Sequence, residues 1–250
     1  MINLRKSASL LVPAFNEGPR IASVIQGVRE RYPFLEIIVV DDGSRDDTRS
    51  RAMEAGARVI SHPFNLGYGV ALQTGYRYAL REGYDALVQM DGDGQHDPSS
   101  IDLLLRMVER GEADLVIGSR FLASREPEHG DSASGPPAWP AYRGTLARRC
   151  GMRLFGTIAS LLIRQKVTDP TSGYQAMNRR VLEWTSSDQF PWDYPDADFI
   201  IMLHRAGFRI LEVPVQMYDN PHKKSMHSGW KPLYYVFKMF LSILVTLMRR

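Results

Sequence analysis

The stretch ALVQMDGDGQHDP (Ala86–Pro98) begins as an apolar, strand-like run and then places Asp91, Asp93 and Asp97 within seven residues. Carboxylates this close repel one another unless a cation, basic side chains or helix N–H groups sit among them. The same alternation recurs on both sides. LLV (Leu10–Val12) is followed by PAFNE (Pro13–Glu17), and EIIVV (Glu36–Val40) by DDGSRDDT (Asp41–Thr48). ARVI (Ala57–Ile60) leads into SHPFNLGYG (Ser61–Gly69), and DLVIG (Asp114–Gly118) into SRF (Ser119–Phe121). Between these runs the apolar spacing is helical. Ile21, Val24, Ile25 and Val28 form one stripe, Val70–Leu80 carries another helix, and Ile101, Leu104, Leu105 and Val108 form a third behind the caps Ser99 and Ser100. Continuous apolar strands alternating with helices predict an α/β protein with a mostly parallel sheet covered on both faces. Polar clusters at the carboxyl ends of such strands mark the ligand edge. Five on one edge describe a site.

The charge at Asp91–Asp97 is not an EF-hand. That loop needs Gly at its sixth position and Glu at its twelfth, where His96 and Asp102 stand. A dinucleotide fingerprint fails at Gly67-Tyr-Gly69-Val-Ala-Leu72 for want of a third glycine, and there is no P-loop. What remains is a short carboxylate pair, Asp91 and Asp93, that holds a hard cation bridging phosphate oxygens. Asp97 stands where it can cap the turn into the following helix.

The chain has 250 residues, 44% hydrophobic and 24% charged, which suits one large soluble α/β domain. A single cysteine, Cys150, excludes a disulfide framework and fits a reducing compartment. The N-terminal apolar run is short and broken by Pro13, so it reads as a first strand rather than a signal peptide. The net charge of +3 conceals an asymmetry. Residues 132–168 carry six Lys/Arg and no acid, and residues 220–250 carry six more, again with no acid; removing those twelve leaves the remainder at −9. Two acid-free blocks prepare part of the molecule for an anionic partner.

Taken in order, VPAFNE, VVDDGSRDDT, NLGYGVALQTGYRYA, MDGDGQHDP, VIGSRF, DPTSGYQAMNRR and GFRILEVPV resemble the family 2 glycosyltransferases of GT-A fold. The branch they resemble is the polyprenyl-phosphate one, like the dolichol-phosphate mannose and glucose synthases, from about Leu10 to Val215. The resemblance implies a Rossmann-like GT-A sheet and an inverting, nucleotide-sugar-dependent hexosyltransferase with Mg²⁺ or Mn²⁺. It assigns Pro13, Ala14, Asn16, Glu17, Asp42, Gly43, Ser44, Asn65, Gly69, Asp91 and Gly92 to the nucleotide sugar, with Asp42 on the base or ribose. Asp91 and Asp93 become the metal-binding DxD element with Gln95 beside it, and Asp93 counts among the catalytic residues. Arg120 and Arg143 fall where the family holds the acceptor phosphate, joined by Ser172. Asp198, nine residues before Gly207, stands where relatives carry Glu and is the carboxylate expected at the acceptor. Where the family shows Arg-x-x-Gly-x-Ser, this chain reads Asn220-Pro-His-Lys223-Lys224-Ser225, so Lys223 or Lys224 takes the cationic role.

The expected partners are therefore GDP-mannose or a UDP-hexose, a polyprenyl phosphate and a membrane surface, without nucleic acid. The expected layout is a catalytic domain over residues 1–219, with an acceptor loop at about 123–142, and a basic amphipathic segment over 220–250. That loop carries four prolines and two glycines without periodicity, the composition of a lid. In PLYYVFKMFLSILVTLMRR (Pro232–Arg250) the longest apolar or near-neutral stretch is ten residues, well short of the roughly 20 that span a bilayer. Lys238, Ser242, Thr246 and Arg250 form a narrow polar stripe on this helix. Its wide apolar face must be covered by the core, a second copy in a homo-oligomer or a membrane interface, and the surrounding basic charge favours the interface. The expected location is cytoplasmic, peripheral on the inner membrane face. Two other functions fit less well: transfer to a saccharide hydroxyl with Asp198 as base, and a non-catalytic membrane-docking module, which would have no use for a DxD element.

Overall fold

The structure is a computed structural model that describes residues 7–122, 146–188, 190–191, 195–218 and 231–248. The strands are β1 (Ala8–Ala14), β2 (Glu36–Asp41), β3 (Arg58–Ser61), β4 (Ala86–Gln89), β5 (Leu115–Ser119), β6 (Gln175–Asn178) and β7 (Ile210–Pro214). They form one sheet in the order β3-β2-β1-β4-β6-β5-β7. β1–β4 run parallel, β5 and β7 pair parallel, and β6 is inserted antiparallel between β4 and β5. The helices are α1 (Gly18–Arg31), α2 (Thr48–Glu54), α3 (Tyr68–Arg81), α4 (Ile101–Glu109), α5 (Leu146–Ile163), α6 (Arg179–Thr185), α7 (Ala197–Arg205) and α8 (Lys231–Met248).

Two apolar layers hold these helices on the sheet. On one face Leu10, Val12, Ile37 and Val39 meet Ile21, Val24, Ile25 and Val28 of α1 and Leu104, Leu105 and Val108 of α4. On the other, Leu11, Ile38 and Val40 meet Leu72, Tyr76 and Ala79 of α3, Phe155 and Ala159 of α5, and Ile200 and Leu203 of α7. Alternate residues of one strand feed opposite layers, which is why β1 and β2 read as continuous apolar runs. Gly75 lets α3 approach β1 closely, because a Cβ there would lie 2.2 Å from Leu11 Cδ1.

Asp97 caps the turn before α4, as its place in the sequence suggested: its carboxylate accepts the Ser99 N–H at 2.8 Å, whereas Ser100, also expected as a cap, makes no side-chain cap. β6, α6 and α7 have no counterpart in the sequence reading, although α7 buries Phe199, Ile200 and Leu203. The polar stripe of α8 partly faces the protein: Thr246 is buried with Met239 and Ile243, and Ser242 reaches a partner on α7. The outer face of α8 leaves Phe240, Leu241, Leu244, Val245 and Met248 exposed. Among the described residues no helix is long and apolar enough to cross a membrane.

Candidate active site

The sheet order reverses at β1, whose neighbours β2 and β4 depart in opposite directions, and a cleft of about 410 Å³ opens there at the carboxyl edge. Pro13, Ala14, Phe15 and Glu17 after β1, Asp42 after β2, and Asp91, Gly92 and Asp93 after β4 line it, with Arg120 after β5. Because β6 runs antiparallel, it is the residues before it, Thr171, Ser172 and Gly173, that arrive at the same edge. Asn65 and Gln95 complete the expected residues on the wall.

Around the first two loops, several expected ligand residues are occupied with shaping the wall. Asn16 takes a left-handed φ of 55°, donates its N–H to Ser44 Oγ at 2.9 Å and accepts the Arg45 N–H on Oδ1 at 2.9 Å. Gly43 has φ +69° and passes so close to the next loop that a Cβ would lie 2.4 Å from the Phe64 carbonyl carbon. Asn16, Gly43, Ser44 and Gly69 thus shape the site without lining it. Asp42, 3% exposed, accepts the Leu66 N–H at 2.8 Å, the Gly67 N–H at 2.9 Å and the His62 Nδ1–H at 2.8 Å. His62 was not singled out by the sequence because its contact spans 20 residues.

At β4 the carboxylates are held from several sides. Asp93 is 2% exposed, and its Oδ1 accepts the Gln95 N–H at 3.0 Å. Asp91 Oδ1 accepts the Tyr68 hydroxyl at 3.0 Å. The Asp91 N–H donates to His96 Nδ1 at 3.1 Å, which leaves the ring proton on Nε2. Burial holds His96 below the usual imidazole range, against the pull of Asp91 and Asp93, and its ring stacks on Tyr174 with centroids 4.8 Å apart. Gln95 donates through Nε2 to the Tyr218 carbonyl at 3.2 Å, and the Tyr218 hydroxyl donates to Asp97 at 2.8 Å. Met217, in an isolated bridge with His96, and Tyr218, both beyond β7, therefore clamp the acidic loop.

This donor set fits a divalent cation bound in an open site. Among the described residues no group of three or more His, Cys, Asp or Glu forms a closed cage. Two carboxylates at the mouth of a cleft leave the other positions to water and phosphate oxygens, as suits Mg²⁺ or Mn²⁺. Gly173 adds a steric reason: a Cβ there would lie 3.0 Å from both Asp91 carboxylate oxygens, so the glycine keeps the approach to Asp91 clear.

After β5, Arg120 Nε donates to Asp169 Oδ2 at 2.6 Å, with the two side chains 7% and 0% exposed. Glu212 of β7 holds the same loop, accepting the Thr168 and Asp169 N–H groups at 2.8 Å and the Thr168 hydroxyl at 2.8 Å. Burial raises the Glu212 carboxyl above the usual range despite these bonds. Ser172 donates its hydroxyl to the Gly118 carbonyl at 2.6 Å, so it reaches the cleft as wall rather than as a free donor. Arg143, Lys223, Lys224 and the loop at 123–142 lie outside the described residues. Asp198 is 2% exposed and does not line the cleft; it accepts from the Ser242 hydroxyl and from the N–H groups of Asp196 and Phe199. Asp196, the residue before α7, and Pro195 stand on the cleft wall.

Known proteins match this arrangement. Residues 9–184 match the family described as Glycosyl transferase family 2. The chain is 32% identical over 230 residues to the polyprenol monophosphomannose synthase of Mycolicibacterium smegmatis, covering 88% of this chain and 80% of that one. It is 29% identical over 228 residues to the undecaprenyl-phosphate mannosyltransferase of Micrococcus luteus, covering 88% and 86%. Among solved structures, glucosyl-3-phosphoglycerate synthase from Mycobacterium tuberculosis, in complex with Mn²⁺, UDP and phosphoglyceric acid, superposes with a TM-score of 0.63 at 24% identity. That superposition covers 97% of this chain and 78% of the other, and at such identity it establishes the fold, which is of GT-A type. With its fold, its acidic strand end and its sequence in agreement, the chain belongs to glycosyl transferase family 2.

Proposed function

We propose that this glycosyltransferase moves a hexosyl group, with inversion, from a nucleoside-diphosphate sugar to a polyprenyl phosphate at a membrane surface. The observation that carries the reading is the convergence on one cleft of Asp91 and Asp93 with the cationic Arg120, from separate strand ends. The names of the relatives support a lipid-phosphate acceptor and a mannosyl donor, with GDP-mannose the first donor to test and UDP-hexoses the second. In the reaction an oxygen of the acceptor phosphate attacks the anomeric carbon. The bond from that carbon to the donor's phosphate oxygen breaks, and the electron pair leaves on the nucleoside diphosphate. A divalent metal between Asp91, Asp93 and the diphosphate would neutralise charge developing on the leaving group. The acceptor phosphate is already ionised, so it needs cations to place it rather than a strong base.

A second cleft of about 800 Å³ supports the acceptor assignment. Phe121 and Thr168, each one residue from a member of the Arg120–Asp169 pair, stand on its wall with Leu161, Arg153, Arg164 and Lys166. Apolar surface edged by cations, beside the catalytic cleft, suits an amphiphile with an anionic head. The exposed apolar residues of α8 adjoin α5, since Phe240 and Phe155 rings lie 5.6 Å apart, and this supports peripheral membrane association.

The test is transfer of radiolabelled sugar from GDP-mannose, UDP-glucose and UDP-N-acetylglucosamine to undecaprenyl phosphate, with and without EDTA. EDTA-sensitive appearance of label in the organic phase is expected. The position of Asp196 on the cleft wall supports one rival, transfer to a saccharide hydroxyl with that carboxylate as base. Label confined to the aqueous phase when an oligosaccharide is supplied would establish the rival.

A further inference from the structure

A buried hydrogen-bond chain runs from the core to Asp91, and its direction is forced by chemistry. A carboxylate only accepts, so the Tyr68 hydroxyl donates to Asp91 Oδ1 at 3.0 Å. The Tyr68 oxygen then accepts from Gln89 Nε2 at 3.2 Å, which turns Gln89 Oε1 toward Tyr76 to accept that hydroxyl. Every donor therefore points toward Asp91. Gln89 is 2% exposed and Tyr76 1%. Gln89 lies on a strand at the centre of the sheet and Tyr76 on α3 in the apolar layer over it, so the chain is anchored in the buried core.

We propose that Gln89 and Tyr76 are positioning residues for Asp91. They act through Tyr68 to tie Oδ1 and present Oδ2 to the cation and the donor diphosphate. Among the described residues Oδ2 accepts no hydrogen bond; His96 Nε2, 3.9 Å away, is beyond reach of one. Chains of aligned donors polarise one another, so Tyr76 is felt at Asp91 although it touches neither cleft nor ligand. Partners behind a metal-binding carboxylate fix its orientation and tune its affinity. The proposal rests on the reading of Asp91 as a metal ligand. The competing account is that two buried tyrosines and a glutamine merely satisfy one another.

Mn²⁺ binding to the full chain, followed by EPR of free Mn²⁺ with UDP and with GDP present, separates these accounts. Tyr68→Phe is expected to raise the Mn²⁺ dissociation constant about 10-fold, and Tyr76→Phe about 3-fold. Because Tyr76 acts through Tyr68, the double variant is expected to bind no more weakly than Tyr68→Phe alone. Both single variants fold around an unchanged ring, and thermal unfolding reports the packing loss separately. A lowered Tm with unchanged Mn²⁺ affinity in Tyr76→Phe, or fully additive effects in the double variant, would overturn the proposal while Asp91→Asn still loses Mn²⁺. Undiminished Mn²⁺ binding in Asp91→Asn, or none by the wild-type chain, would overturn the metal reading and the proposal with it.

Discussion

The hydroxyl of Ser242 on α8 donates to Asp198 Oδ2 on α7 at 2.5 Å. Asp198 Oδ1 accepts the Phe199 and Asp196 N–H groups at the start of α7, where a carboxylate also complements the positive end of the helix. This carboxylate therefore fastens the C-terminal helix to the sheet-packed one. Ser242→Ala is expected to cost about 1–3 kcal/mol in denaturant unfolding, since it leaves a buried acceptor short of a donor. Asp198→Asn should lower stability while turnover of the folded fraction stays within a few-fold of wild type. Asp196→Asn should do the opposite. A collapse of turnover in Asp198→Asn at unchanged stability would return that residue to the site.

The two faces of α8 predict different phenotypes. Ile243 is 5% exposed against the core, so Ile243→Ala is expected to cost about 2–5 kcal/mol. Leu244 is 54% exposed, and Leu244→Glu should leave the melting temperature within a degree or two but abolish sedimentation with anionic liposomes. Deleting the helix would mix both effects, because Met239 and Thr246 are buried as well. Liposome binding unchanged in Leu244→Glu would place the docking surface elsewhere.

Asp93→Asn removes one charge at a loop that backbone bonds also tie, the Tyr218 N–H donating to the Gln95 carbonyl and the Asp97 N–H to the Gln216 carbonyl. The variant is expected to fold as wild type and to lose metal-dependent donor turnover by at least about 100-fold. Rates at saturating Mg²⁺ and Mn²⁺ check this, and retained turnover would exclude Asp93 from metal binding.

Gly173→Ala introduces a Cβ 3.0 Å from both Asp91 carboxylate oxygens and from the Tyr68 hydroxyl. The neighbour able to give way is the Asp91 side chain, which is 32% exposed. The expected result is a raised Mn²⁺ requirement for turnover with little change in melting temperature. An unchanged metal titration would mean that Asp91 is not held where the metal binds.

Asp114 predicts a pH dependence of stability. Burial alone would raise its carboxyl, but the Arg209 N–H and guanidinium and the Asn178 amide outweigh this, and the net shift is downward. A carboxyl with a depressed folded pKa contributes stability that is complete above its unfolded value of about 3.9 and is lost as pH falls through the folded value. Asp114→Asn should therefore destabilise at pH 7 and flatten the acid limb of the unfolding free energy below about pH 4. An acid limb as steep as in wild type would exclude Asp114 as its source.

Legibility in the sequence followed the range of the interactions. Leu10–Val12 and Ile37–Val40 are strands because every residue is buried on one face or the other, which leaves a continuous apolar run in the sequence. The apolar stripe of α1, Ile21, Val24, Ile25 and Val28, is buried as its spacing predicts. β6 escaped because four residues, Gln175–Asn178, are too few to show a period, and its antiparallel insertion depends on a chain return of 55 residues (120–174) after β5. The same insertion is what delivers Ser172 and Gly173 to the ligand edge.

The order of short motifs along the chain thus determined, by itself, the family, the parallel sheet and the strand ends where carboxylates gather. These are local properties: burial period, turn chemistry and the clustering of charge within a few residues. Only the tertiary structure decided what each polar group is used for. Asp196 and Asp198 are two residues apart and chemically identical, yet one faces the cleft and the other is bonded to Ser242, 44 residues on. Asp42 is saturated by Leu66 and Gly67, and Arg120 is paired with Asp169 at a separation of 49 residues. A buried carboxylate or guanidinium must find its partner wherever packing supplies one, and that choice depends on the distance across the folded chain rather than along it.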